Sequence, residues 1–215
     1  SQAWKNKDLA RINRIYHSSS INQLIFSVAM FALIWMNFND AVLNFHLQHR
    51  YLEAAMVFFY IGLMRIVDMG TGVNSQIIVT STFWRFDFIT GIILLALTLP
   101  LNYVFTKYYF GVTGPAIANL ISLTVYNLIR YWFLYARFAM QPFSLKTLHT
   151  LLLGIGGYVL SYYVFRDMHG FAGMILRSAL FVFVFVSGVK WLELSPDVKP
   201  VWQTMLKKLG IKKGD

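Results

Sequence analysis

Residues 54–130 read AAMVFFYIGLMRIVDMGTGVNSQIIVTSTFWRFDFITGIILLALTLPLNYVFTKYYFGVTGPAIANLISLTVYNLIR, and this stretch decides the fold. It contains three apolar runs. Each is long enough to cross a bilayer, because a hydrocarbon core of about 30 Å takes roughly 20 apolar residues in a helix. Within each run, polar or charged residues recur on one helical face. Such a polar face on a membrane-spanning helix indicates that something hydrophilic lies against it or passes along it.

The composition of the whole chain indicates the same class of protein. Of its 215 residues, 57% are hydrophobic and 13% are charged. The net charge of +10 is typical of basic loops held beside anionic lipid, so nucleic acid is not an expected partner. The chain has no cysteine, no histidine pattern with metal-ligand spacing and no nucleotide-binding or hydrolase motif. We therefore expect neither a metal nor a cofactor, and no enzyme activity.

Six apolar spans are predicted, at about 21–36, 53–80, 86–105, 115–135, 148–165 and 173–192. This pattern predicts an all-α integral membrane protein, a six-transmembrane-helix bundle. We expect three regions: residues 1–17 as a cytoplasmic segment, 18–192 as the transmembrane lobe, and 193–215 as a basic tail on the membrane surface.

The distribution of basic residues sets the expected orientation. Lys and Arg are concentrated in the first 14 residues, in the loop between spans four and five, and in the tail. The alternate loops carry one basic residue each, namely Arg50, Lys107 and Arg166. Basic loops stay on the cytoplasmic side. Both termini are therefore expected to be cytoplasmic in a multi-pass protein.

The second span carries the clearest polar face. At 100° per residue, one arc of about 100° holds Arg65, Asp68, Gly72, Ser75 and Gln76. A charge at bilayer depth costs at least about 2.5 kcal/mol, so this arc must avoid lipid. Either Arg65 and Asp68 neutralise each other as an intrahelical pair, or they face a cavity. Gly70 and Gly72 weaken the helix at this point, so a bend is expected.

Spans three, four and five have polar or small faces of their own. In span four, Asn119, Ser122, Tyr126 and Arg130 share an arc of about 80°. Either this arc faces a cavity, or Asn119 and Ser122 form interhelical hydrogen bonds and Arg130 extends to the cytoplasmic surface. In span three, Arg85 lies at the start, and Asp87, Gly91, Thr98 and Asn102 lie along one side. In span five, Gly154, Gly157 and Ser161 have the spacing of close helix contacts.

Two stretches resemble a known family. The first is VDMGTGVNSQIIVTSTFWR (67–85), which carries the motif residues Asp68, Gly72, Asn74, Ser81 and Arg85. The second is residues 101–143, which carry Asn102, Gly111, Gly114, Ala116, Ile117, Ala118, Asn127 and Arg130, with Pro115 where the family often has alanine. Together they resemble the C-terminal half of bacterial polysaccharide biosynthesis transporters, the O-antigen and oligosaccharide flippases of the multidrug/oligosaccharidyl-lipid/polysaccharide exporter superfamily.

The resemblance implies one lobe of a two-lobe alternating-access transporter in the bacterial cytoplasmic membrane. Its cargo would be a lipid-linked oligosaccharide of the polyprenyl pyrophosphate type. We expect this chain to supply the second lobe, with the first contributed by a longer protein, a separate partner or a second copy.

The resemblance also implies roles for individual residues. Arginine forms charge-assisted, often bidentate bonds with phosphate, so Arg65, Arg85 and Arg130 would meet the pyrophosphate. Sugar hydroxyls would be contacted by Asn74, Gln76, Asn102, Asn119, Ser122 and Tyr126. On an ideal helix Asn74 lies opposite the main arc, so its role requires the expected bend. Asp68 and Asp87 would take up a coupling ion.

Three alternatives stay open from the sequence. An ion-coupled multidrug or metabolite antiporter of the same superfamily would need a more apolar cavity and a defined cation site. An inactive half-transporter or membrane scaffold would bury its polar faces in separate helix contacts. A membrane-embedded transferase would need clustered carboxylates or histidines, for which the two aspartates are thin support.

Overall fold

The computed structural model describes residue 4, residues 8–48 and residues 50–197. All regular structure in these residues is helical, which confirms the all-α prediction. After the first helix, Arg50–Glu53 forms a single turn. The main helices are α1 (Leu9–Asn44), α2 (Ala55–Gly70), α3 (Asn74–Val79), α4 (Trp84–Val104), α5 (Gly114–Phe138), α6 (Leu145–Val164) and α7 (Gly170–Trp191). Most of the expected basic tail, residues 198–215, lies outside the described residues, as do residues 1–3 and 5–7 of the expected cytoplasmic segment.

The first helix is longer than the sequence predicts. It begins at Leu9, where the Asp8 side chain accepts a hydrogen bond from the Arg11 backbone N–H at 2.9 Å, an N-cap that satisfies one of the unpaired donors of the first turn. It then runs without interruption for 36 residues. The expected boundary between residues 17 and 18 is therefore not a helix boundary.

Three helical segments of the described chain are long and apolar enough to cross a membrane: Leu9–Asn44, Trp84–Phe138 and Gly170–Trp191. In the most apolar window of the second segment only 6% of the residues are buried. Large apolar side chains such as Phe88, Trp132 and Phe183 are about two-thirds exposed. These features indicate a membrane protein.

The segment Trp84–Phe138 folds back on itself. After α4, a π-helical turn (Phe105–Phe110) and a 3₁₀ turn (Gly111–Thr113) lead into α5. The Phe86 and Phe133 rings stack at 4.0 Å at one end of the pair, and Gly114 lies against the Phe105 backbone at the other. These contacts make α4 and α5 an antiparallel hairpin of two helices, each 20 residues or longer.

Helix α1 packs against α2, α6 and α7. Small residues permit these close contacts, since a Cβ on Gly62 would meet the Phe31 ring and one on Gly154 would meet Val28. Gly157 lies against Phe181 of α7, and Ser161 is buried. The expected helix-contact role of the small residues on α6 is confirmed at both glycines.

Candidate polar site between α2, α3, α4 and α5

The second predicted span is a broken helix. Gly72 has φ +66°, a left-handed conformation that favours glycine, and it separates α2 from α3. The broken end is held in place because the Ser20 hydroxyl of α1 donates to the Gly70 carbonyl and the Thr71 hydroxyl donates to the Asp68 carbonyl at 2.8 Å. The carbonyls that the break leaves unpaired thus find partners. The bend expected from the two glycines is confirmed.

The break turns Asn74 inward. Its side-chain amide donates to Oδ1 of the Asn127 side chain at 3.0 Å, and the Asn127 Nδ2 donates to an Asp68 carboxylate oxygen at 3.3 Å. Asn74 and Asn127 are both almost fully buried. The polar faces of the second and fourth spans therefore meet through a hydrogen-bonded chain that joins α2, α3 and α5.

Arg130 is the most buried charge of this site, at 2% exposure. Its guanidinium pairs with the Asp87 carboxylate of α4, and its Nε donates to the Thr90 hydroxyl at 3.2 Å. The same guanidinium lies 3.9 Å from the centre of the Tyr126 ring, and Asp87 accepts a second bond from Ser75 at 3.2 Å. Arg130 and Asp87, which the sequence assigned to phosphate and to a coupling ion respectively, are thus each other's partners.

Other predicted residues of these helices are exposed. The Arg65 side chain is 63% exposed, and its guanidinium is 3.8 Å from the Asp68 carboxylate, three residues later on α2. Gln76 and Arg85 are also exposed, and the Arg85 guanidinium lies 5.5 Å from the Trp84 ring. We call Arg65, Asp68, Gln76 and Arg85 the exposed polar face. Of the two alternatives that the sequence posed for Arg65 and Asp68, the intrahelical pair is present.

The remaining predicted residues do not join this network. Ser122 is fully buried, and its hydroxyl has no hydrogen-bond partner among the described residues. Asn102 lies at the opposite end of α4 from Asp87, about 22 Å away at roughly 1.5 Å per residue. Asn119 is half-buried on α5. None of the three makes a hydrogen bond to the side chains described above.

The sequence reasoning missed a second polar cluster. Asp40 of α1 pairs with Arg177 of α7, whose side chain is only 4% exposed, and the His169 ring lies 3.9 Å from the same carboxylate. Nearby, the Asn37 amide donates to the Ser178 hydroxyl at 2.9 Å. The available signal was Arg177, a lone charge inside an apolar run that should have required a partner.

Among the described residues no three His, Asp or Glu side chains are grouped to hold a metal ion. The chemistry of the site is instead that of a buried ion pair beside an exposed guanidinium. In comparisons with known proteins, no protein-family model, no curated protein and no solved structure matches the chain.

Proposed function

We propose that this chain is one six-crossing lobe of an alternating-access flippase. Its cargo is a lipid-linked oligosaccharide, moved from the cytoplasmic to the outer leaflet of a bacterial cytoplasmic membrane during polysaccharide or lipopolysaccharide synthesis. A second lobe, in the same protein or in a partner copy, completes the pathway. Rocking of one lobe against the other would expose the cargo alternately to the two sides.

One observation carries this proposal: the 63% exposure of the Arg65 side chain, near the middle of the proposed crossing by α2 and α3. The surrounding surface of α2 is apolar. An arginine facing hydrocarbon costs at least about 2.5 kcal/mol, and its pair with Asp68 is itself largely open to the surroundings. The exposed polar face therefore needs water or a polar partner against it, which the passage of a glycan and its phosphates provides.

In this proposal the predicted roles are divided between exposed and buried residues. Arg65, Gln76 and Arg85 are available to cargo, with the two guanidinium groups as the phosphate contacts. The residues behind them are buried or partly buried and are positioning residues that hold α2–α5 in place: Arg130, Asn74, Ser122 and Tyr126. Asn102 and Asn119 are candidate sugar contacts further along the pathway.

The antiporter alternative is less favoured by this arrangement. Coupling to a proton or Na⁺ needs a carboxylate that is free to bind the ion. Asp87 is engaged by Arg130 and Ser75, while Asp68 has Arg65 and Asn127 as partners. The scaffold alternative is distinguished by the experiment that follows.

The test is the substitution Arg65→Ala in the host cell. We expect the cell to lose surface glycan export while the protein stays inserted at normal abundance, because Arg65 is exposed and its loss leaves no buried group unpaired. Export is measured by surface staining of the glycan, and abundance by immunoblotting of the membrane fraction.

The matched control is Arg137→Ala. Arg137 is also an exposed arginine, lying 5.3 Å from the Phe83 ring at the end of α5, outside the exposed polar face. It should leave both export and abundance unchanged. Wild-type export by the Arg65→Ala protein would reject the proposed cargo role and leave the scaffold interpretation.

A further inference from the structure

Three partly open cavities follow one another along α1. The first, about 410 Å³, lies where α6 joins α7; the second and third, about 330 and 210 Å³, continue towards the start of α6. Trp35 and Tyr158 line both the first and the second cavity, and Ile66 and Leu151 line both the second and the third. The three cavities are therefore adjacent, and we call them together the α1 groove.

At the second cavity the walls of the groove are α2 on one side and α6 on the other, and α5 also lines the third cavity. The α6 wall is a single helical face, since its lining residues recur every three or four positions: Thr147, Leu151, Gly154, Ile155, Tyr158 and Tyr162. Between Thr147 and Tyr158 the helix rises about 16 Å at roughly 1.5 Å per residue. This stretch is lined mainly by apolar side chains, and its length matches the depth of about 15 Å of one lipid leaflet.

The end of the groove at the α6–α7 junction is polar and positively charged. It is lined by Asp40, Arg166, His169 and Arg177. The Asp40 carboxylate neutralises Arg177, which leaves Arg166 as the charge in excess. Asp167 lies 3.7 Å from Arg166, but the two side chains are 96% and 64% exposed, and a pair as open as this holds its partners weakly.

The junction between the polar and apolar parts is aromatic. Trp35 and Tyr158 lie at the boundary, and Tyr162 lies just beyond it in the polar cleft. Tryptophan and tyrosine prefer the level of the lipid headgroups, where an apolar ring and a polar tip are both satisfied. The groove thus has the order of a phospholipid: a charged head, an interfacial layer and a chain.

We propose that the α1 groove binds one anionic phospholipid. Its phosphate lies at Arg166 and His169, and an acyl chain runs between α2 and α6 past Ile155. This site is separate from the exposed polar face, and it depends on insertion of the chain in a membrane and not on the proposed transport. Loss of export by Arg65→Ala would leave it unaffected.

The test uses the full chain reconstituted in phosphatidylcholine vesicles that contain a trace of phosphatidylglycerol with a photoreactive diazirine at the end of its acyl chain. After illumination, we expect the cross-linked peptides to come mainly from the groove faces of α1, α2 and α6. Ile155→Trp, which fills the groove, should abolish this labelling. Ile175→Trp is the matched control: Ile155 is 62% exposed and Ile175 is 67% exposed, but Ile175 lines none of the three cavities.

A second variant tests the headgroup without filling the groove. Arg166→Gln should weaken groove labelling about five-fold, the effect of one arginine near an anionic lipid. Lys107→Gln, an exposed cation outside the groove, should not change it. Inorganic phosphate should not compete.

Two results would overturn the proposal. Equal labelling of α4 and the groove, unaffected by Ile155→Trp, would mean that the lipid is only the general boundary layer. Competition by inorganic phosphate would mean an anion site with no need for the acyl chain.

Discussion

The Arg130 guanidinium has an anionic partner in Asp87, a hydroxyl partner in Thr90 and an aromatic partner in Tyr126. Such a buried pair contributes little net stability, because desolvation offsets most of the attraction. Removing one member of the pair lowers the stability much more, because the charge left behind is buried and unpaired. We therefore expect the pair to hold α4 and α5 together.

Asp87→Asn tests whether the Arg130–Asp87 pair holds the two helices together. We expect the free energy of unfolding to fall by about 3–5 kcal/mol, because Arg130 keeps its charge and loses its counter-ion. The measurement is thermal unfolding of the detergent-solubilised protein followed by circular dichroism.

The control for that substitution is Asp167→Asn. Asp167 also lies beside an arginine, but its side chain is 96% exposed, so the stability should not change measurably. Replacing both buried partners, as in Asp87→Leu with Arg130→Met, should recover much of the lost stability. A single Asp87→Asn variant as stable as the wild type would show that the pair does not hold the hairpin.

Some of these residues could be placed from the sequence and others could not. Helical periodicity put Ser122, Tyr126 and Arg130 on one face, and all three lie towards the interior of α2–α5 to some degree. The choice of Asp87 as partner depends on the register of the α4–α5 hairpin, which periodicity within one helix does not encode. Asn127 was noted only as part of a motif, and its contacts with Asp68 and Asn74 depend on the same packing.

At the level of elements, the break between α2 and α3 decides which polar groups face inward. A straight helix would place Asn74 opposite Arg65 and Asp68, away from α5. The left-handed Gly72 redirects the chain, and Asn74 becomes the bridge to Asn127. The backbone geometry at Gly72 therefore brings Asn74 into the polar network.

Gly72→Ala is the corresponding prediction. An alanine at φ +66° is strained by about 1–2 kcal/mol, and its Cβ would lie 3.0 Å from Ser20, so we expect the thermal stability to fall. Gly91→Ala is the matched control, because a Cβ there meets nothing within 4 Å and alanine favours a helix interior by about 0.5–1 kcal/mol. If the Gly72 variant melted at or above the temperature of the Gly91 variant, the break would not need glycine.

The positions of the helices were easier to predict from the sequence than their ends. Apolar run lengths located the helices well, and the paired glycines indicated the bend. The helix ends were less predictable, because the Asp8 cap extends α1 at its start and the helix continues past Asp40 to Asn44. The predicted first span ends at Met36, so Asp40 and its pair with Arg177 lie outside it.

At the scale of the whole molecule, two kinds of exposed surface coexist. Most of it is apolar, as on α4, where Ile92 and Leu95 are 53% and 57% exposed. The other kind is the exposed polar face, centred on Arg65. A bilayer can solvate the first surface but not the second, so the molecule is expected to present one side to lipid and the other to a wet pathway or a second lobe.

The central claim is that this polar side is in contact with water, and substituted-cysteine labelling tests it most directly because the chain has no cysteine of its own. Single cysteines at Arg65, Gln76, Ile92 and Leu95 would be treated in intact membranes with a charged, water-soluble thiol reagent. We expect Arg65→Cys and Gln76→Cys to react rapidly, and Ile92→Cys and Leu95→Cys to stay unmodified although their side chains are similarly exposed. Equal protection of all four positions, or equal reaction at all four, would contradict the account.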